Sequence, residues 1–256
     1  EQGDPENRKL WELFRKKSLE EFKRIYHELD INFDLEKDIT KGESDYEKDL
    51  KPLIAELEQK GIAKKSEGAL VIDLEKYTLP VAMLRKSDGA TLYITRDIAS
   101  LKDRIAEYHP DRILYVVANQ QALHFEQLFA IAKLLKLDSA ELVHVKFGMV
   151  LGEDGKKLAT REGKVVPLQE VIDKIVALAS DTVKQKNPDL PDEQVSEIAH
   201  AVGIGALKYN DLKEVRTSDI MFNWKVMLDL SGDSGPYLQY TYARLMSIVR
   251  KAGERE

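Results

Sequence analysis

Cysteine is missing from all 256 residues, which excludes disulfides, thiolate nucleophiles and Cys-ligated zinc. The five histidines, His27, His109, His124, His144 and His200, never fall at metal-ligand spacing, so no resident metal is expected. There is no apolar run long enough to cross a bilayer and no signal peptide, which predicts a cytoplasmic protein. A surplus of positive charge is lacking too. With 39 Lys and Arg against 45 Asp and Glu the net charge is −6, so any nucleic-acid contact must be a local patch. No internal repeat or low-complexity tract is present. The chain begins at Glu1 without Met and ends at Glu256 just after a strongly helical stretch, which reads as a piece of a longer protein.

What is present is ordinary globular material. Charged residues make up 33% and the hydrophobic set 43% of a chain long enough for one or two domains and a proper core. Apolar spacing predicts an amphipathic helix over Asn7–Leu29, with Leu10, Leu13, Phe14, Phe22, Ile25 and Tyr26 along one face. A strand is expected at Ile31–Leu35, a helix over Ser44–Lys60 stopping at Gly61, and a strand at Ala69–Leu74. Val81–Arg85 and Thr91–Thr95 bracket Ser87-Asp88-Gly89, a strong hairpin signal. A helix over Ile98–Tyr108 ends at His109-Pro110. Arg112–Ala118 holds the continuous run Ile-Leu-Tyr-Val-Val-Ala, which suits a strand buried on both faces of a parallel sheet. Polar Asn119-Gln120-Gln121 precedes a helix to about Leu135, and Leu142–Leu151 supplies one or two more strands. This alternation marks an open α/β sheet. From Leu168 onward the pattern is mostly helical, over Leu168–Lys184, Asp192–Leu212 and Tyr237–Ala252, with Asn187–Asp192 as a short linker.

The densest chemistry lies in Phe147–Gly163, FGMVLGEDGKKLATREG. A short apolar strand runs into a glycine-broken loop carrying Lys156, Lys157, Thr160 and Arg161, with Lys164 just beyond. A cationic loop at the end of a strand suits a polyphosphate whose charge builds during reaction, and glycines let its backbone approach closely. A solvated hairpin is the alternative. Ligands of open α/β sheets bind beyond the carboxyl ends of the strands. Two further places meet that condition, Arg96-Asp97 after the hairpin and Asn119–His124 after the apolar strand. Tyr93 lies four residues before Asp97, so both can border one pocket. A carboxylate, a phenol and amides opposite cationic groups suit a small cationic substrate held beside a nucleotide. Asp97 could instead be the N-cap of the following helix, Tyr93 a core-edge strand residue, and Gln121 and His124 ordinary first-turn residues. Gly203-Ile204-Gly205 lies inside a helical pattern and reads as a close helix–helix contact rather than a nucleotide loop. These residues alone describe a nucleotide-dependent α/β enzyme.

Five ordered segments go further: GES at Gly42–Ser44, DGATLYITRDIAS at Asp88–Ser100, YVVANQQALHF at Tyr115–Phe125, FGMVLGEDGKKLATREGKVVPL at Phe147–Leu168, and SGPYLQYTYAR at Ser234–Arg244. Together they resemble the class I arginyl-tRNA synthetases over nearly the whole length. The resemblance implies an α/β fold, part of a Rossmann-like catalytic domain with a parallel sheet and flanking helices, followed by a mainly helical region. Residues 1–75 would be an inserted connecting segment and 76–167 the second half of the nucleotide-binding domain. Residues 168–232 would contact the tRNA stem, and 233–256 would begin a truncated anticodon-binding domain.

The implied reaction is ATP-dependent: arginine attacks the α-phosphate to give arginyl-adenylate, and the arginyl group then passes to tRNA(Arg). L-arginine, ATP with Mg2+ and tRNA(Arg) would be the partners of a monomer, with no tightly bound cofactor and no membrane. Asp97 and Glu43 would pair with the substrate guanidinium, Tyr93 would hydrogen-bond near it, and Gln121 would hold the amino-acid end, with His124 behind them. A guanidinium is a planar fork of donors, and a site built for it rejects a neutral analogue by ~10⁴-fold or more. Gly148, Met149 and Val150 would line the nucleotide, the last two with main-chain groups. Lys156, Lys157, Thr160 and Arg161 fall in the loop that stabilises the phosphates. Two departures are visible. The class's Lys-Met-Ser-Lys-Ser loop is here Lys157-Leu158-Ala159-Thr160-Arg161, and the family's His-Ile-Gly-His segment does not occur in the chain. The second departure predicts that this chain alone does not aminoacylate. It also keeps open a non-catalytic paralogue binding RNA or protein, beside another nucleotide-dependent ligase of a cationic amine.

Overall fold

Asp4 Oδ1 accepts the N–H groups of Glu6 and Asn7 at 3.0 and 2.9 Å, and Pro5 presets φ, so α1 (Pro5–Glu28) starts beside its expected position. The helix stops on Asp30, at φ 50°, with Asp30 N–H donating to His27 O and Ile31 N–H to Tyr26 O. That closing turn replaces the strand expected at Ile31–Leu35. Ile31–Phe33 are not extended in a sheet, Phe33 packs on Tyr26 at 5.1 Å between ring centroids, and Asp34 and Leu35 lie outside the described residues. The computed structural model describes residues 4–33, 40–152, 155–156 and 166–253.

Contacts divide the chain into two units, Ile39–Gly148 and Glu1–Asp38 with Met149–Glu256. The first holds α2 (Glu47–Gln59), β1 (Ala63–Ser66), β2 (Ala69–Ile72), β3 (Ala82–Arg85), α3 (Tyr93–Tyr108), β4 (Arg112–Ala118), α4 (Ala122–Leu134) and β5 (Glu141–Phe147). β1, β2 and β3 form an antiparallel sheet in sequence order. β1 has no counterpart among the sequence expectations, because Ala-Lys-Lys-Ser buries only Ala63 and carries no β-branched or aromatic signal. Its turn does carry one. Glu67 and Gly68 stand at φ 49° and 81°, the pair of left-handed residues that a two-residue hairpin requires.

After β3 the Asp-Gly turn forms as expected, with Gly89 at φ 91° and Lys86 N–H bonded to Ala90 O at 2.9 Å. The second arm does not follow. It lasts for a single bridge, Arg85 to Thr91, and α3 begins at Tyr93 rather than Ile98. Two features favour helix over the β-rich local sequence. Buried Thr95 Oγ1 donates to Leu84 O at 2.6 Å, tying the first turn to the end of β3. Ile94, Ile98 and Leu101 recur at helical spacing and bury one face against Leu57, Ile72 and Leu84 in a shared core.

β4 and β5 pair in parallel over their full length, from Arg112↔Glu141 to Ala118↔Phe147. Tyr115 and its neighbours pack into the core with Phe125 and Phe129 of α4 at 5.0 and 5.7 Å, and burial pushes the Tyr115 phenol up from its ordinary value. The expectation of burial on both faces holds on one side only. Leu114 and Val116 are 56% and 65% exposed, because the described helices of this unit cover only the face that carries Tyr115.

The second unit contains α1, then β6 (Val150–Leu151), α5 (Leu168–Lys186), α6 (Asp192–Leu212), β7 (Ile220–Met221), α7 (Trp224–Met227) and α8 (Gly235–Gly253). Val171, Ile175, Ala206, Phe222 and Met227 form its core. The glycines of α6 act as expected, as helix–helix contacts. A Cβ at Gly203 would stand 3.1 Å from Val176 Cα of α5, and α8 enters through Gly235, whose absent Cβ would lie 2.6 Å from Gly205 O. Among the described residues no helix is long and apolar enough to cross a membrane.

Because the obstacle at Gly235 is backbone, Gly235→Ala is expected to lower the unfolding free energy of the purified chain by about 2 kcal/mol in urea titration, while Gly253→Ala, with open space around it, moves it by less than about 0.5 kcal/mol. A second prediction concerns acid. Glu56 of α2 accepts from Lys102 of α3 and from Lys60, and these bonds hold its carboxyl below the usual value. The stabilisation is complete above about pH 4.5 and is lost as pH falls through the depressed value. Glu56→Gln is expected to lower the thermal-unfolding midpoint near pH 8 and to flatten its acid limb, so that variant and parent converge as pH falls through the depressed value.

Candidate functional site

The carboxyl end of β4 runs into a short turn, Asn119–Gln121, and then α4, which places Gln121 at the N-cap position and His124 in the first turn. Gln121 is exposed and makes no side-chain cap bond. Among the described residues His124 finds a side-chain partner rather than a backbone one. Its Nε2 lies 2.6 Å from Asp97 Oδ2 across the α3–α4 contact. An ionised Asp97 can only accept, so Nε2–H donates. The ring meets Phe125 edge-on at 5.3 Å, which fixes the plane from which that bond is made. Asp97 is therefore not an N-cap. It is the fifth residue of α3, and the N-cap position is Leu92, which offers no side-chain acceptor. The misreading followed from starting the helix one turn late.

With α3 beginning at Tyr93, Tyr93 and Asp97 are four residues apart on one helical face. Tyr93 is 69% exposed, so it is not a core-edge strand residue. Asp97 Oδ1 bonds to no described residue. Phenol and carboxylate thus line up on α3 beside the first turn of α4, with one carboxylate oxygen anchored by His124 and the other open. That arrangement can receive a cationic donor group from solvent.

Glu43 stands apart from this pair. It opens a short turn, Glu43–Tyr46, whose start is closed by Gly42 N–H on Asp45 Oδ2 at 2.7 Å. Its carboxylate faces Arg96, with Nε to Oε2 at 3.9 Å, and Glu47 approaches the same guanidinium at 3.4 Å. Both carboxylates are exposed, so these ion pairs are loose and exchangeable.

The remaining candidates lie around β6. Gly148 closes the first unit, and Met149 and Val150 open the return of the second. β6 pairs in parallel with β7, Val150↔Ile220 and Leu151↔Met221. Ile220 N–H donates to Met149 O and Phe222 N–H to Leu151 O, both at 2.8 Å, while Met149 N–H donates to Asp219 Oδ1 at 2.7 Å. Both main-chain groups of Met149 are thus engaged inside the protein. The parallel register turns the N–H and C=O of Val150 away from β7, toward the outer edge. Beyond Leu151, Gly152 N–H bonds to Lys156 O at 2.7 Å across Gly155, which sits at φ 71°. Lys156 is exposed there. Lys157, Thr160 and Arg161 lie outside the described residues. Sequence reasoning did not find Asp219 or β7, since a two-residue strand between helices leaves no periodic signal. Among the described residues no group of three or more His, Asp or Glu could hold a metal ion.

Residues 1–224 match the family described as tRNA synthetases class I (R), catalytic domain. An arginine–tRNA ligase from Streptococcus suis is 44% identical over 253 residues, covering 98% of this chain and 44% of its own length. One from Lactiplantibacillus plantarum is 46% identical over 257 residues, covering 100% of this chain and again 44% of its own length. The solved arginyl-tRNA synthetase of Plasmodium falciparum superposes with a TM-score of 0.80 at 27% identity, over 97% of this chain and 42% of that one. The chain therefore spans less than half the length of the relatives it matches.

Proposed function

This chain belongs to the class I tRNA synthetases for arginine, and from that premise we propose that, within an enzyme of the relatives' length, it activates L-arginine with ATP and Mg2+ and charges tRNA(Arg). The observation that carries the reading is the Asp97 carboxylate at the carboxyl end of β4, one oxygen held by His124 and the other open beside Tyr93. A guanidinium fits such a carboxylate in two-point fashion, through the open oxygen and the second lone pair of the held one. Glu43 adds a second negative charge once the substrate competes with Arg96 for it. Gln121 and the first turn of α4 face the amino-acid end.

In the first step a carboxylate oxygen of arginine bonds to the α-phosphorus while the bond to the β-phosphate oxygen breaks, releasing pyrophosphate. A hydroxyl of the terminal ribose then attacks the acyl carbon and AMP leaves. The chain's part in the first step is to align the amino acid and to offset the negative charge growing on the leaving phosphates, the role read for Lys156, Lys157, Thr160 and Arg161. Gly148 and the main-chain edge at Met149 and Val150 would receive the adenine, with Val150 the better placed because the Met149 groups are already engaged. Residues 168–232 are read as the tRNA-stem region and 233–256 as the first helix of an anticodon-binding domain, in a cytoplasmic monomer.

Two outcomes are expected. In the enzyme of full relative length, Asp97→Ala should lower kcat/KM for arginine by an amount equivalent to roughly 3–5 kcal/mol. Its unfolding free energy should move by only about 1 kcal/mol, since Asp97 caps nothing and its bond to His124 is partly solvated. Equal losses in the two measurements would reduce Asp97 to a structural residue. The isolated chain, which has no His-Ile-Gly-His segment, should form no arginyl-tRNA from ATP, Mg2+, arginine and tRNA above the level of its Lys157→Ala variant.

A further inference from the structure

Met149 N–H marks a point where the β6–β7 ladder should have failed. The ladder has only two residue pairs, and its next rung toward the amino terminus would need the carbonyl of residue 218. The chain has already left the ladder there, because Ser218 N–H turns back to Val215 O at 2.8 Å. Asp219 supplies the missing acceptor with its side chain, Oδ1 to Met149 N at 2.7 Å. A carboxylate accepting a backbone N–H is the stronger, charge-assisted form of this bond. One residue later Ile220 N–H takes Met149 O, so a single stretch of β7 grips both main-chain groups of Met149. The grip is anchored in turn. Phe222, two residues past Ile220, donates its N–H to Leu151 O, is buried in the core with Val171, Ile175 and Met227, and meets Trp224 edge-on at 4.6 Å.

The consequence falls on Val150. Its N–H and C=O point off the edge of β6 opposite β7, where no described strand pairs, one residue after the clamped Met149 and a few residues before Lys156. We propose that Asp219 is a positioning residue for nucleotide binding, which holds Met149 so that the main-chain donor and acceptor of Val150 are presented to the adenine edge in fixed register. This rests on the nucleotide reading of β6 given above. A two-pair ribbon is marginal by itself, and without the side-chain rung its leading residue would be free to fray.

The test compares Asp219→Asn, which keeps an acceptor oxygen, with Asp219→Ala, which does not, in the enzyme of full relative length. Arginylation kinetics should show KM for ATP raised about tenfold in the alanine variant, KM for arginine within about twofold of the parent, and the asparagine variant close to the parent in both. Amide hydrogen exchange at Met149 in the present chain should quicken in the alanine variant and not in the asparagine variant. KM values for ATP and arginine rising together, an asparagine variant as impaired as alanine, or unchanged exchange at Met149 would each overturn the proposal. If the parent enzyme does not charge tRNA, the functional reading fails separately. Calorimetric titration with ATP then applies the same criterion, and absence of ATP binding, or equal affinity in all three proteins, rejects the role of Asp219.

Discussion

The parallel ladder between β4 and β5 is the constraint on which the site of the first unit depends. Parallel strands release both carboxyl ends on the same side, so the turn at Asn119–Gln121 and the exit at Phe147–Gly148 leave the sheet next to each other. The aromatic layer beneath, Tyr115 with Phe125 and Phe129, seats α4 on the ladder, and α4 carries His124 to Asp97. A slip of one residue between β4 and β5 would turn Tyr115 from the core to the open face and take His124 away from α3 with it.

The Asp97–His124 bond divides the two oxygens of one carboxylate between two tasks. Oδ2 takes the bond to His124, and Oδ1 has no partner among the described residues, which the proposed reading assigns to the substrate. An unanchored aspartate on a helix would reach several rotamers, and a guanidinium would have to select one of them at an entropic cost. Under the proposed reading, the histidine removes that cost before the substrate arrives. The same economy of parts recurs at β6, where Asp219 uses one side-chain oxygen to do what a further strand residue would otherwise do.

Much of this was legible in the residues. The long helices, the apolar strand at Arg112–Ala118, the Asp-Gly turn and the glycine contacts of α6 all follow from period, turn chemistry and side-chain size. What was hidden had one cause, a local pattern overruled by a distant partner. Thr91–Thr95 reads as strand, but Thr95 finds Leu84 O and Ile94 finds the core, so helix prevails. Ile31–Leu35 reads as strand, but among the described residues no edge receives Ile31–Phe33, and the helix-closing turn takes the Ile31 N–H. β1 and β7 are nearly silent in composition and exist because β2 and β6 offer them edges. The placement of Tyr93, Asp97 and Gln121 near the ends of neighbouring elements was legible in kind. The contact of His124 with Asp97 and the role of Asp219 were not, since both bridge elements far apart in the chain.

The touching backbones of α6 and α8 carry a mechanical consequence. At the very start of α8, Gly235 lets its backbone approach that of Gly205, and one turn on Gln239 lies over the same glycine. A helix of 19 residues is roughly 28 Å long, so a tilt of ten degrees at that pivot swings its far end by about 5 Å. α8 is a pointer whose aim is set within a single peptide unit. Anything joined to its carboxyl end inherits that aim, and the smallest possible residue at the pivot does the work of a precision bearing.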